Sequence, residues 1–137
     1  MQFMSLAFLS TLIAGALAAE GVHLVNCDGP AGQGSVVVYC ADDSNCNNVP
    51  TGPNECEFRS ESTYHLWEGS SQSCEFGQTG VSFSWNIESN AQSQATYSQV
   101  GTGSNGFHNF NIFKDDQHTM WSQNGQNCKS VYYALDA

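Results

Sequence analysis

Four histidines and two runs of acidic residues are the side chains of this sequence best suited to chemistry. Imidazoles titrate near neutral pH, so two that converge can act as acid and base. His65 stands beside Tyr64, Trp67 and Glu68, and His108 and His118 follow later. They frame one expectation: a small extracellular hydrolase or ribonuclease using His65 with His108 or His118. Strand periodicity opposes it, because Tyr64, Leu66 and Glu68 would share one face while His65 and Trp67 share the other. A ribonuclease also needs a bidentate cation on its phosphate. Arg59 precedes these residues and no arginine follows it. His108, in step with Phe110 and Ile112, should face inward. Hydrogen-bonded core or rim positions suit His65 and His108 better than catalysis.

The acidic runs suggest calcium, which takes about 6–8 oxygen ligands. Asp42-Asp43-Ser44-Asn45 is one candidate. Asp115-Asp116-Gln117-His118-Thr119 is the other and partly matches a crystallin-type calcium pattern, with Met120 in its last place. Asp115 and Asp116 are therefore the metal candidates. Asp and Asn also dominate ordinary turns, and that plainer reading is preferred, with no cofactor implied. Glycoside hydrolysis needs two carboxylates across one sugar bond. Glu57, Glu61, Glu68, Glu75 and Glu88 are present, but no spacing selects a pair, and G-x-S-x-G is absent.

Aromatic residues point more firmly to binding. Tyr64, Trp67, Trp121 and Tyr132, set among Ser, Asn and Gln, suit stacking on sugars or contact with proteins. The competing reading is that such rings fill a core.

The elements that must hold these residues are short and β-rich. Strands are expected at 22–27, 35–40, 63–68, 81–87, 95–100, 107–113, 119–122 and 128–135. Val36-Val37-Val38-Tyr39 is apolar on both faces and should be a covered, central strand. Val81, Phe83, Trp85 and Ile87 alternate with Ser82, Ser84 and Asn86, the pattern of a strand with one wet face. Residues 41–53 read as a loop, 88–95 as a loop or single turn, and 101–106 as a Gly-rich break. Asn124-Gly125 is a hairpin turn. The expected fold is all-β: an antiparallel sandwich or small barrel of about eight strands, stapled by disulfides.

Six cysteines supply the staples: Cys27, Cys40, Cys46, Cys56, Cys74 and Cys128. Spacing alone leaves the connectivity open. The crowding of four between Cys27 and Cys56 places most reinforcement in the first third, and Cys74 with Cys128 is the expected long-range pair.

Residues 1–18 read as a signal peptide. They hold no charged side chain, their apolar run is too short for a spanning helix of roughly 20 residues, and Ala16-Leu17-Ala18 fits the cleavage rule. Residues 19–137 would then form one secreted domain. Neither cleavage choice, before Ala19 or before Glu20, leaves His23 at the N-terminus, which removes copper chemistry requiring a terminal histidine. Three Lys and Arg against 13 Asp and Glu give a formal net charge of −10. Such a chain repels nucleic-acid phosphates and anionic membranes.

The motifs GVHLVNC (21–27), VVYCADDSNC (37–46) and WEGSSQSCEF (67–76), with the tail from SNGFHNFNIFKDDQ to NCKSVYYAL, resemble fungal small secreted cysteine-rich proteins. The resemblance spans most of residues 19–137. It implies a non-enzymatic, effector-like or toxin-like protein associated with virulence, whose partner is a host protein or a cell-wall glycan.

Overall fold

The computed structural model of the chain describes residues 19–58 and 63–137. The expected leader, Arg59 and Glu61 lie outside the described residues. Among the described residues nine antiparallel strands make the fold: β1 (Gly21–Gly29), β2 (Gly32–Cys40), β3 (Glu55–Glu57), β4 (Ser71–Phe76), β5 (Val81–Ile87), β6 (Gln99–Ser104), β7 (Asn109–Lys114), β8 (Thr119–Gln123) and β9 (Gln126–Asp136). Their order is β3-β2-β1-β9-β7-β6-β5-β4, with β8 also on β9. The sheet curls into a nearly closed barrel, as the all-β expectation requires. Among the described residues no helix is long and apolar enough to cross a membrane.

The barrel interior comes from alternation. Val22 and Leu24 of β1, Phe83, Trp85 and Ile87 of β5, and Phe110 and Ile112 of β7 all join the main core. On β5 the alternation is complete: Ser82, Ser84 and Asn86 face solvent. The double-faced reading of Val36–Tyr39 also holds. Val37 enters the barrel core with Tyr39 packed against it, while Val36 and Val38 join a second cluster with Val25, Met120 and the Cys27–Cys128 pair. A β-bulge disturbs β9: Val25 pairs with Ser130 and Leu24 with Tyr132. The extra residue between them, Val131, joins the core beside Tyr132, because a bulge resets the alternation.

β8 is the continuation of β7 along the same edge of β9. β7 ends with Lys114 opposite Tyr132, and β8 begins with Thr119 opposite Lys129. Residues 115–118 bulge out between them, held by Asp115 N–H on the Val131 carbonyl and Ser130 N–H on the His118 carbonyl.

Three expectations need correction. Residues 63–68 form no strand; that edge is built instead by β3 and β4. Trp67 is drawn into the core, and Gly69 turns the chain at φ 88° before β4 starts. The 101–106 break is mostly strand, because β6 runs to Ser104. Its glycines admit a close neighbour: a Cβ on Gly103 would lie 2.7 Å from the Phe83 ring, and one on Gly101 would collide with the Asn86 carbonyl. Finally, Cys74 does not pair with Cys128. The bridges are Cys27–Cys128, Cys40–Cys46 and Cys56–Cys74. Cys27 and Cys128 are register partners on adjacent β1 and β9, and Cys56 and Cys74 connect the edge strands β3 and β4. Reinforcement therefore spans the whole barrel and does not concentrate in its first third.

Candidate functional site

The outer face of β4–β7 carries a regular field of uncharged side chains. Register pairing places Ser71, Asn86, Thr102 and Asn111 in one row across four strands. Ser73, Ser84, Ser104 and Asn109 make the next row. The strands are spaced about 4.8 Å apart, so each row is about 14 Å long, and the rows lie about 7 Å apart. Glu75, opposite Ser82, begins the charged border. Within the field Asn86 donates to Ser71 Oγ at 3.2 Å, and Ser84 Oγ donates to the Ser104 carbonyl at 3.3 Å. Most of these residues border a shallow groove of about 510 Å³. Its side chains offer hydroxyl and amide donors and acceptors, and none of the lining side chains is ionisable.

The candidate aromatics divide. Trp67 and Tyr132 are core residues, 1% and 0% exposed. Trp67 packs against Trp85 and Phe58 and donates its indole N–H to Asn26. Tyr132 donates its hydroxyl to Glu68 at 2.5 Å. Burial, and then the Glu68 carboxylate, raise its pKa far above the usual tyrosine value. Alternation along an outer face does not apply to either: a loop carries Trp67 and the bulge redirects Tyr132. Tyr64 is exposed and donates to Asp28 at 3.2 Å. Trp121 is half-buried and borders a separate hollow of about 260 Å³ with Val49 and Pro50.

Each of the three histidines proposed for acid–base work has a different set of neighbours. His65 stacks on Phe58 and contacts Gln72 at 2.5 Å. His108, expected to face inward, instead precedes β7 and is half-exposed between Glu20 and Asp136. The residue falls in the β6–β7 turn, where strand alternation has not begun. His118 lies on Asp116 at 2.5 Å and on Asn47 at 3.1 Å. Among the described residues none of these neighbours is shared.

The residue that sequence reasoning missed is His23. Its Nε2 is 2.8 Å from Asp43 Oδ1 and its Nδ1 is 2.7 Å from Ser130 Oγ. Ser130 in turn donates to Asp115 Oδ2 at 2.5 Å. The order Asp–His–Ser has the composition of a hydrolytic triad, but Ser130 is fully buried and His23 nearly so. No substrate carbonyl reaches that hydroxyl. The network joins β1, β9, the 115–118 bulge and the Asp43 turn. The only sequence signal was an alternation that puts His23 opposite Val22 and Leu24.

The acidic runs are engaged locally. Asp42 caps a short turn by accepting from Ser44 N–H and Oγ. Asp115 accepts from the Asp116 N–H as well as from Ser130. Asp116 accepts from the His118 N–H and from Tyr97. Hydrogen bonds from the His118 side chain and backbone hold its carboxyl well below the usual carboxylate range. Asp115, Asp116 and His118 lie close enough to present one oxygen or nitrogen each to a common point.

No protein-family model, no curated protein and no solved structure matches this chain.

Proposed function

We propose that this protein is a secreted, non-enzymatic protein of the fungal small cysteine-rich kind that binds a neutral cell-wall glycan through the outer face of β4–β7. One observation carries the reading: two rows of Ser, Thr and Asn, uncharged in a chain of net charge −10, border a shallow groove. Neutral polysaccharides display hydroxyls at a similar density, and two rows of uncharged side chains bind them without stranding a charge. The three disulfides agree with an extracellular setting. The dispersal of His65, His108 and His118 supports binding over hydrolysis.

The test is co-sedimentation of the purified protein with insoluble neutral polysaccharides such as chitin, cellulose and β-glucan. Asn86→Asp and Thr102→Glu place carboxylates in the first row. Either should weaken retention by about tenfold or more, because a neutral ligand would bury an unpaired charge. Circular dichroism confirms that the variants fold. Retention unchanged in both variants removes the face as the site. Release of sugar ends with time overturns the non-enzymatic reading, and failure on every neutral glycan overturns the glycan itself.

A further inference from the structure

Among the described residues three non-glycine positions adopt a left-handed backbone: Tyr97, Gln117 and Asn124. Of these, Tyr97 alone carries an aromatic ring. Its φ is 71°, a region where Cβ is crowded and Gly or Asn is the ordinary choice. The residue is also 58% exposed, so burial of the ring does not offset the crowding. Such a conformation persists where the surroundings fix it, and it tends to gather at binding sites.

Both ends of this residue are fixed. The Tyr97 N–H donates to the Lys114 carbonyl at 2.8 Å, and the Lys114 N–H donates to the Ser98 carbonyl at 3.0 Å. Lys114 Nζ donates to the Gln92 and Gln94 carbonyls at 2.7 and 2.9 Å, which pins the preceding segment to the end of β7. At the other end the Tyr97 hydroxyl donates to Asp116 Oδ2 at 3.0 Å. The ring is set before a ligand arrives, so stacking on it costs little ordering entropy. Two residues on, Gln99 is exposed and opposes Phe113 in the β6–β7 ladder. Its amide donates to Asn111 Oδ1 at 3.2 Å, and Asn111 ends the first row of the β4–β7 field. Gln99 thus leads from the ring into that row.

On the reading that this face binds a neutral glycan, we infer that Tyr97 is its stacking platform and selects gluco-configured, β-linked chains. The face of an aromatic ring is electronegative and attracts weakly positive C–H groups. A β-glucopyranose holds its hydroxyls equatorial and turns axial C–H bonds to both faces. β-Mannose carries an axial hydroxyl, which spoils one face for stacking. A polyuronate brings carboxylates towards Asp116 and is disfavoured by like charge.

The test titrates the disulfide-intact protein with cello-, chito- and laminarihexaose as gluco-configured probes, and with β-mannohexaose and an oligogalacturonate. Calorimetry gives affinity, and NMR follows the sugar C–H protons. The tightest gluco-configured probe should exceed mannohexaose by about threefold or more, and its protons should move upfield in the ring current. The oligogalacturonate should bind weakest. Tyr97→Gly should weaken the tightest probe by about tenfold. Glycine accepts this backbone without a Cβ, so the melting temperature should hold, which separates loss of the ring from loss of the fold. Tyr97→Phe keeps the ring and should retain most of the affinity. Unchanged affinity in Tyr97→Gly while Asn86→Asp still weakens binding overturns the platform and leaves the glycan face standing. Absence of the upfield shift, preference for mannohexaose, or preference for the oligogalacturonate overturns it as well. No binding of any neutral probe by the unaltered protein removes the face and the platform together.

Discussion

Cys56 and Cys74 hold their Cα atoms 6.1 Å apart on β3 and β4, the two strands at opposite ends of the sheet order. The barrel is therefore drawn together at its seam by a covalent bond. Hydrogen-bonded ladders connect the other neighbours, from β3 round to β4. The two ends of the sheet also meet here without a long exposed edge, the feature that otherwise invites strand addition.

Loss of each disulfide should rank by the loop it closes. The separations are 101 residues for Cys27–Cys128, 18 for Cys56–Cys74 and 6 for Cys40–Cys46. In the loop-entropy account these correspond to about 4.7, 3 and 2 kcal/mol. Paired Cys→Ala variants in a urea titration should follow that order. Equal losses would show that the bridges act through native packing and not through the unfolded chain.

The buried His23–Ser130–Asp115 chain should be sensitive at its centre. Ser130→Ala strips a partner from His23 and another from Asp115, both nearly buried. The expected cost is about 2–3 kcal/mol in denaturant unfolding. Ser82→Ala, on the wet face of β5, should cost less than about 0.5 kcal/mol. Equal effects would place no weight on the network.

Crowding between β5 and β6 gives a third test. Gly101→Ala drives a methyl group into the Asn86 carbonyl, a backbone atom that cannot swing aside. A loss of about 1–3 kcal/mol is expected. Gly77→Ala meets nothing within 4 Å and should be nearly neutral. A neutral Gly101→Ala would mean that β5 and β6 are further apart than described.

Alkaline titration gives a fourth. All five tyrosines have raised pKa values: Tyr39, Tyr64, Tyr97, Tyr132 and Tyr133. Burial and then Glu20 push Tyr39 up to about 12. Between the unfolded value of about 10 and these higher folded values, the unfolded chain has lost protons that the folded chain retains. Stability is accordingly full below pH ~10 and falls as pH rises towards 12. Tyrosinate absorbance should appear late in the folded protein and near pH ~10 in denaturant. A single ordinary transition in the folded protein would refute it.

Much of the fold was legible because alternation is a local signal. Val81–Ile87 and Val36–Tyr39 state their burial in their own residues. The β3 and β4 edge was not legible. Glu55–Glu57 is three residues long, and Ser71–Phe76 is mostly polar outside Cys74 and Phe76. The Gly-rich run of β6 was misread for a physical reason: glycine weakens strand propensity, yet close approach of β5 demands it.

For the candidate sites, composition alone determined the scarcity of charge among abundant Ser, Asn and Thr, and six cysteines determined that the chain would be stapled. Which of these residues meet was decided by tertiary pairing. Register assembled eight polar residues from four strands into one field, and it separated the histidines. A bulge in β9 turned Tyr132 inward and set Ser130 between His23 and Asp115. Burial of one ring or exposure of another depends on partners up to 107 positions away, as His23 and Ser130 show. Local periodicity carries no information at that range, so only the closed barrel could settle it.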